Sequence, residues 1–278
     1  MMASLSVVAH VRAETGKRSG GGYVAKRRLG LLPMSSGKPR ATFPPWTLSH
    51  CMLSRQKTAP QAVIFDVDGT LLDSVDMHAM SWVDAFHDYG HQVRFEEVRR
   101  QIGKGGDQLM PVFMTAEEID KYGEALEAHR GIVLKERYLP LITPFRGVRA
   151  LFERLRADGK QIALASSARE DELAIYRKIA NIEGLIDVET SSDDAKRSKP
   201  YPDIFQATLE RLGGGSPDRM IAVGDTPYDA EAAAKAGMRT IGLLCGGWSA
   251  EDLKRSGCIA VYKDPAELLA LYAASPLA

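Results

Sequence analysis

Val63-Ile64-Phe65-Asp66-Val67-Asp68-Gly69-Thr70-Leu71 decides how the rest of this 278-residue chain is understood. An apolar run ends in two carboxylates set two residues apart, followed by Gly and Thr. Residues i and i+2 of an extended chain point to the same side, so Asp66 and Asp68 leave the strand end together. Parallel α/β sheets hold their ligands at that edge. Two like charges so close repel, and a hard cation, a shared proton or plain water must offset them. Asp-Gly is also a common turn dipeptide, and a bare pair of this kind is by itself an ordinary strand-to-turn junction.

Three later segments tip the balance. Ile162-Ala163-Leu164-Ala165 runs into Ser166-Ser167, and Met220-Ile221-Ala222-Val223 runs into Gly224-Asp225, with Asp229 one helical turn on. Between them, Lys199 stands before Pro200-Tyr201-Pro202 and leads into an amphipathic helix. Residues that follow parallel strands converge at one edge even when far apart in sequence. The inferred cluster of carboxylates, hydroxyls and one ammonium suits phosphoryl chemistry on a Mg²⁺ ion.

The segments DVDGT (66–70), ALASS (163–167), SKPYPDIF (198–205) and GDTPYD (224–229) together resemble the four ordered motifs of the haloacid dehalogenase-like (HAD) superfamily. The resemblance covers 61–278, and four motifs in order are far more specific than any one. It implies a Rossmann-like α/β core and assigns roles to the matching positions. Asp66 becomes the nucleophile and forms an aspartyl-phosphate. Asp68 becomes the acid/base, and Ser166 and Lys199 complete the catalytic set. Asp66, the Asp68 carbonyl and Asp225 would hold the Mg²⁺, with Asp229 behind them orienting a bound water or Lys199. Ser166 and backbone N–H groups, those of Gly69 and Thr70 included, would receive the phosphoryl oxygens, with Ser167 beside them. Each residue also has an ordinary role open to it. Ser166 or Ser167 can cap the next helix, Lys199 can be a solvated turn residue, and Asp229 can be a helix N-terminal acid.

The neutral total charge hides an asymmetry. Arg12, Lys17, Arg18, Lys26, Arg27, Arg28, Lys38, Arg40, Arg55 and Lys57 stand against Glu14 alone before residue 60. Such a segment can contact nucleic acid or anionic membranes. It lacks helical periodicity and is rich in Gly, Ser and Pro, so residues 1–59 are expected to be a disordered, non-catalytic tail. A transit peptide to an organelle is compatible with the acid-poor composition, and so is a true start near Met52. No nucleic-acid or membrane partner is expected. Cys51, Cys245 and Cys258 are odd in number and lack metal-type spacing, which fits free thiols in a reducing, cytoplasmic setting. No apolar run is long enough to cross a membrane as a helix.

Strand-like runs fall near 62–66, 161–165, 186–190, 220–224, 239–244 and 258–262. Helical patterns fill 146–158, 170–181, 202–212, 228–236 and 264–273. This alternation predicts a parallel sheet with helices on both faces. Between the first two strands the chain is helical instead, over 77–89, 95–101, 107–113 and 116–138. A helical cap over 76–141 is expected, inserted into a core of 60–75 and 142–278, with hinges near 72–76 and 141–146.

The substrate is less defined. His78, twelve residues after Asp66, is similar to a histidine near the phosphoryl site in β-phosphoglucomutase-like members; alone, it is an ordinary helix residue. The loop 101–107 is glycine-rich, carries Lys104 and opens a helix, so it can admit a phosphate or sugar hydroxyl; otherwise it is a flexible connector. The arginine of the sugar-phosphate mutases is absent there, with Gly105 nearest. Dehalogenases lack an acid/base carboxylate where Asp68 stands. The expectation is a Mg²⁺-dependent phosphatase of a small phosphorylated metabolite, phosphoglycolate-like or a sugar phosphate. The alternatives are a mutase or a non-catalytic protein whose tail binds a polyanion.

Overall fold

A computed structural model describes residues 59–278. The expected tail therefore lies outside the described residues apart from Ala59. The chain runs through β1 (Ala62–Phe65), β2 (Leu72–Asp73), α1 (Val75–Asp88), α2 (Phe95–Arg99), α3 (Gly106–Leu109) and α4 (Ala116–Val133). It continues with β3 (Thr143–Pro144), α5 (Val148–Ala157), β4 (Gln161–Ala165), α6 (Glu170–Ile179), β5 (Val188–Thr190) and α7 (Asp203–Arg211). Last come β6 (Met220–Gly224), α8 (Pro227–Lys235), β7 (Arg239–Leu243), α9 (Ala250–Arg255), β8 (Cys258–Tyr262) and α10 (Pro265–Ala270). The six expected strands and the core helices all form; α9 was not anticipated, because its six residues are too few to show a period.

Six strands make one parallel sheet in the order β5-β4-β1-β6-β7-β8. Alternate residues supply its two faces. Val63, Phe65, Ile162, Leu164, Ile221 and Val223 face α5, α6 and α10 through Leu151, Phe152, Tyr176 and Leu268. Ala62, Ile64, Ala163, Ala165 and Ala222 face α7 and α8 through Ile204, Phe205, Ala232 and Ala233. The small alanines let the helices of that second face sit close. On α5, buried Val148, Leu151, Phe152 and Leu155 recur at the spacing of one helical face.

Between β2 and β3 the helices bury a cluster of their own, centred on Ala79, Trp82, Phe86, Val98, Leu109 and Leu126. The longest, α4, starts at a reciprocal cap in which Thr115 and Glu118 satisfy each other's backbone N–H groups. The two expected hinge segments are not separate linkers. They pair as an antiparallel ribbon, Leu72 opposite Pro144 and Asp73 opposite Thr143. Periodicity does not reveal a two-residue strand, which is why the ribbon escaped notice in the sequence.

The Phe65 and Phe152 rings lie 4.7 Å apart and both are fully buried. Phe152→Ala should lower unfolding free energy by about 3–5 kcal/mol. Urea denaturation followed by circular dichroism measures this, and a loss below about 1 kcal/mol would contradict the packing.

Candidate active site

β4, β1 and β6 are neighbours in the sheet, so their C-terminal ends deliver Ser166, Asp66 and Asp225 to one edge. Lys199 arrives from the loop before α7, and its ammonium is fully buried. It lies 2.5 Å from Asp66 Oδ1, 2.8 Å from Asp229 Oδ1, and donates to the Ala165 carbonyl at 2.9 Å. The four separated segments thus meet around one amine.

Asp229 occupies the third position of α8. Its Oδ2 accepts from the backbone N–H and hydroxyl of Thr226 at 3.1 and 2.7 Å, and its Oδ1 faces Lys199. It is both helix N-terminal acid and partner of the lysine, so neither expected role excluded the other. Asp225 Oδ1 accepts from Thr70 Oγ1 at 2.9 Å. Asp225 Oδ2 and Asp66 Oδ2 are buried and take no hydrogen bond among the described residues.

Asp66, Asp225 and Asp229 each offer an oxygen within 4.8 Å of the others. With Lys199 as the fourth group, three carboxylates meet one ammonium, an excess of two negative charges when all are ionised. Burial raises the Asp66 pKa from 3.8 to about 7, with Lys199 opposing and Asp229 and Asp68 adding to the rise. Burial, then Asp66 and Asp229, push Asp225 well above the carboxylate range against Thr70 and Lys199. Burial works against the charge on Lys199, yet Asp229 and Asp66 overcome it and hold its pKa above that of a free lysine. The donor set, all oxygen with two buried atoms lacking partners, fits a hard divalent cation. Asp66 and Asp225 have the free oxygens, whereas those of Asp229 are engaged.

The cradle for Asp225 is made of glycine. A Cβ on Gly69 or on Gly246 would overlap Asp225 Oδ2. Gly69 also adopts φ +79°, a conformation open mainly to glycine. Gly246 escaped sequence reasoning, although its place shortly after β7 was a usable signal.

Asp68 turns away from the lysine. Its Oδ1 takes Ser74 Oγ at 2.7 Å and His78 Nε2 at 2.8 Å, and the Tyr176 hydroxyl lies 3.3 Å from the same nitrogen. Burial raises the Asp68 pKa, but the His78 charge and hydrogen bond, Ser74 and Arg130 outweigh it and leave it lowered. Ser74 and Tyr176 had no motif to mark them. Ser166 is fully buried and accepts from the Ala168 N–H at 3.0 Å, which leaves its own O–H to donate. Neither serine caps α6, whose preceding residue is Arg169. Ser167 donates to the Gly103 carbonyl at 3.3 Å and ties the core to the helical insertion.

One expectation needs correction. The Gly69 and Thr70 N–H groups are engaged within the turn, donating to the Leu72 and Val67 carbonyls at 2.9 and 3.3 Å, because a tight turn must satisfy its own backbone. In this turn, the N–H groups of Val67 and Asp68 take no acceptor among the described residues. Lys104 lines the cavity that Asp66 and Asp68 share, its ammonium donating to Gln101 Oε1 at 2.7 Å and lying 4.7 Å over the Tyr228 ring.

That small cavity also receives Arg130 from α4, which pairs with buried Glu172 at 3.1 Å and lies 5.2 Å over Trp82. Lys104, Arg130 and Ser167 also line a larger chamber of about 330 Å³ between the insertion and the core.

The family model described as haloacid dehalogenase-like hydrolase matches residues 63–243. A phosphorylated carbohydrates phosphatase of Thermotoga maritima is 29% identical over 75% of this chain and 96% of its own length. The pyrophosphatase PpaX of Bacillus velezensis is 29% identical over 66% of this chain and 82% of its own. A hydrolase from Pseudomonas syringae superposes with a TM-score of 0.70 at 29% identity, covering 77% of this chain and 98% of that one.

Gly246→Ala should weaken Mg²⁺ binding about 10- to 100-fold by displacing the Asp225 carboxylate. Calorimetric Mg²⁺ titration measures it, with circular dichroism to verify the fold. Unchanged affinity would show that the cradle does not set the carboxylate.

Proposed function

We propose that this chain, which belongs to the haloacid dehalogenase-like hydrolase family and is a phosphoric monoester hydrolase, acts as a Mg²⁺-dependent phosphatase on a small phosphorylated metabolite. The observation that carries the proposal is the Asp66 carboxylate, with one oxygen on Lys199 and the other buried without a partner. Asp66 and Asp225, with the Asp68 carbonyl, would hold the ion. When bound, it supplies positive charge to the phosphoryl oxygens and offsets the surplus of carboxylates.

One Asp66 oxygen attacks phosphorus while the other would stay with the ion, and the bond to the leaving oxygen breaks. A carboxylate is a poor match for an anionic target, so cancelling repulsion matters more than basicity. Lys199 does that for Asp66, and Ser166 with the Val67 and Asp68 N–H groups receives the phosphoryl oxygens. Asp68 gives the leaving oxygen its proton. His78, in contact at 2.8 Å, orients this carboxylate, which is left ionised for the second half of the reaction. Water then attacks phosphorus, Asp68 takes its proton, and the bond to Asp66 breaks to release phosphate.

The helices from α1 to α4 act as a cap over 76–141, with the paired ribbon at its base. Contacts such as Ser167 with Gly103 and Arg130 with Glu172 close it against the core, which excludes bulk water and limits substrate size. A mutase reading is less supported. Where mutases present an arginine, Gly105 offers only an N–H, already donated to Ser198 Oγ at 2.8 Å. The basic segment is outside the described residues, and no described helix is long and apolar enough to cross a membrane.

Asp66→Asn should abolish turnover and phosphoenzyme formation with the fold intact. Hydrolysis of p-nitrophenyl phosphate at the wild-type rate would remove Asp66 as nucleophile. Asp68→Asn should slow both formation and breakdown of the phosphoenzyme about 10²- to 10⁴-fold. Rapid-quench kinetics resolves the two steps, and normal rates in both would exclude an acid/base role.

A further inference from the structure

Tyr176 approaches the acid/base carboxylate from behind. It stands on the buried face of α6, packs in the core beside Leu173, and does not line the cavity that Asp66 and Asp68 share. Its ring meets the His78 ring edge-on, at 84° with centroids 6.1 Å apart. Its hydroxyl lies 3.3 Å from His78 Nε2 and has no other hydrogen-bond partner among the described residues. The hydrogens around Asp68 follow from this geometry. Oδ1 accepts from Ser74 Oγ at 2.7 Å and from His78 Nε2 at 2.8 Å, which fills it. Oδ2 takes no hydrogen bond among the described residues, so a proton passed to or from Asp68 resides there. A ring nitrogen carries either a hydrogen or a lone pair. Facing an ionised oxygen at 2.8 Å, Nε2 carries the hydrogen, and the Tyr176 oxygen meets that same hydrogen from the other side.

We propose that Tyr176 is a positioning residue for the acid/base step: its hydroxyl oxygen, sharing the Nε2 hydrogen, holds the His78 imidazole in the tautomer and orientation that saturate Asp68 Oδ1, so that Oδ2 alone exchanges the proton. This rests on the phosphatase reading above and deepens it. The last torsion of a histidine is broad and two-fold, so the ring needs an outside contact to fix it. Without the hydroxyl the imidazole is freer to turn, or to carry its hydrogen on the other nitrogen. Either change withdraws the donor from Oδ1, and the carboxylate can then rotate and aim its proton away from the leaving oxygen. The loss is that of one long hydrogen bond, so its pattern identifies it better than its size. Help from a general acid matters most when the leaving oxygen is basic and least when it is acidic.

The test measures phosphoenzyme formation by rapid quench, with Mg²⁺, from phenyl phosphate and from p-nitrophenyl phosphate. These esters differ far more in the basicity of the leaving oxygen than in shape. Tyr176→Phe removes one oxygen and keeps the ring. It should slow formation from phenyl phosphate about 3- to 10-fold and from p-nitrophenyl phosphate by about twofold at most. The half-saturating concentrations should not move, because Tyr176 does not touch the substrate. In a His78→Ala background the same substitution should cost nothing further, since the hydroxyl then has no imidazole to hold. Circular dichroism verifies each fold, and the comparison of leaving groups decides alone if His78→Ala does not fold. A tyrosine that merely fills the core would slow both substrates by one factor, with or without His78. Either of those results, or no slowing at all, overturns the proposal. Wild type that forms no phosphoenzyme from either ester would instead bring down the phosphatase reading itself.

Discussion

An excess of buried negative charge governs this molecule. Asp66, Asp225 and Asp229 crowd within 4.8 Å of one another, with Lys199 the sole ammonium among them. At an effective dielectric of 20, two unit charges about 4 Å apart repel by about 4 kcal/mol. One lysine cannot balance three such groups, and burial first, with the neighbouring carboxylates adding to it, raises the pKa values of Asp66 and Asp225. A site of this kind is stable in a dry interior only when a proton or a cation completes it. The same deficit suits the site to a hard cation.

The sheet makes the crowding affordable by delivering each group from a rigid strand end. β1 lies between β4 and β6, so the three critical termini are adjacent, at the strand spacing of about 4.8 Å. Their flanking residues are held by two packed faces, and the lysine enters against the Phe205 ring, 5.5 Å from its centre. The nearest partners fix the rotamers: Thr70 holds Asp225 with its Oδ2 unpartnered, and Thr226 holds Asp229 with its Oδ1 on Lys199.

Much of this was legible in the sequence, and the reason is local. A strand that ends in acids announces itself over a few residues, as do the proline-flanked Lys199 and the Asp225/Asp229 pair at a helix start. The alternation of Val63, Ile64 and Phe65 between faces needed only a period of two. What stayed hidden depends on contacts across the fold. Nothing near Ser74 or Tyr176 says that they support Asp68 and His78, residues separated from Tyr176 by 108 and 98 positions. The free N–H groups of Val67 and Asp68 follow from the closing of one turn, which composition does not specify. Gly246 matters only because Asp225 lies against it.

The ribbon of Leu72–Asp73 with Thr143–Pro144 has an evolutionary corollary. Because the outgoing and returning chains cross side by side, about 5 Å apart, everything hung beyond them is topologically a single plug. Another module with closely spaced ends can take its place without shifting any strand register, provided that it brings partners for Asp68 where Ser74 and His78 now stand.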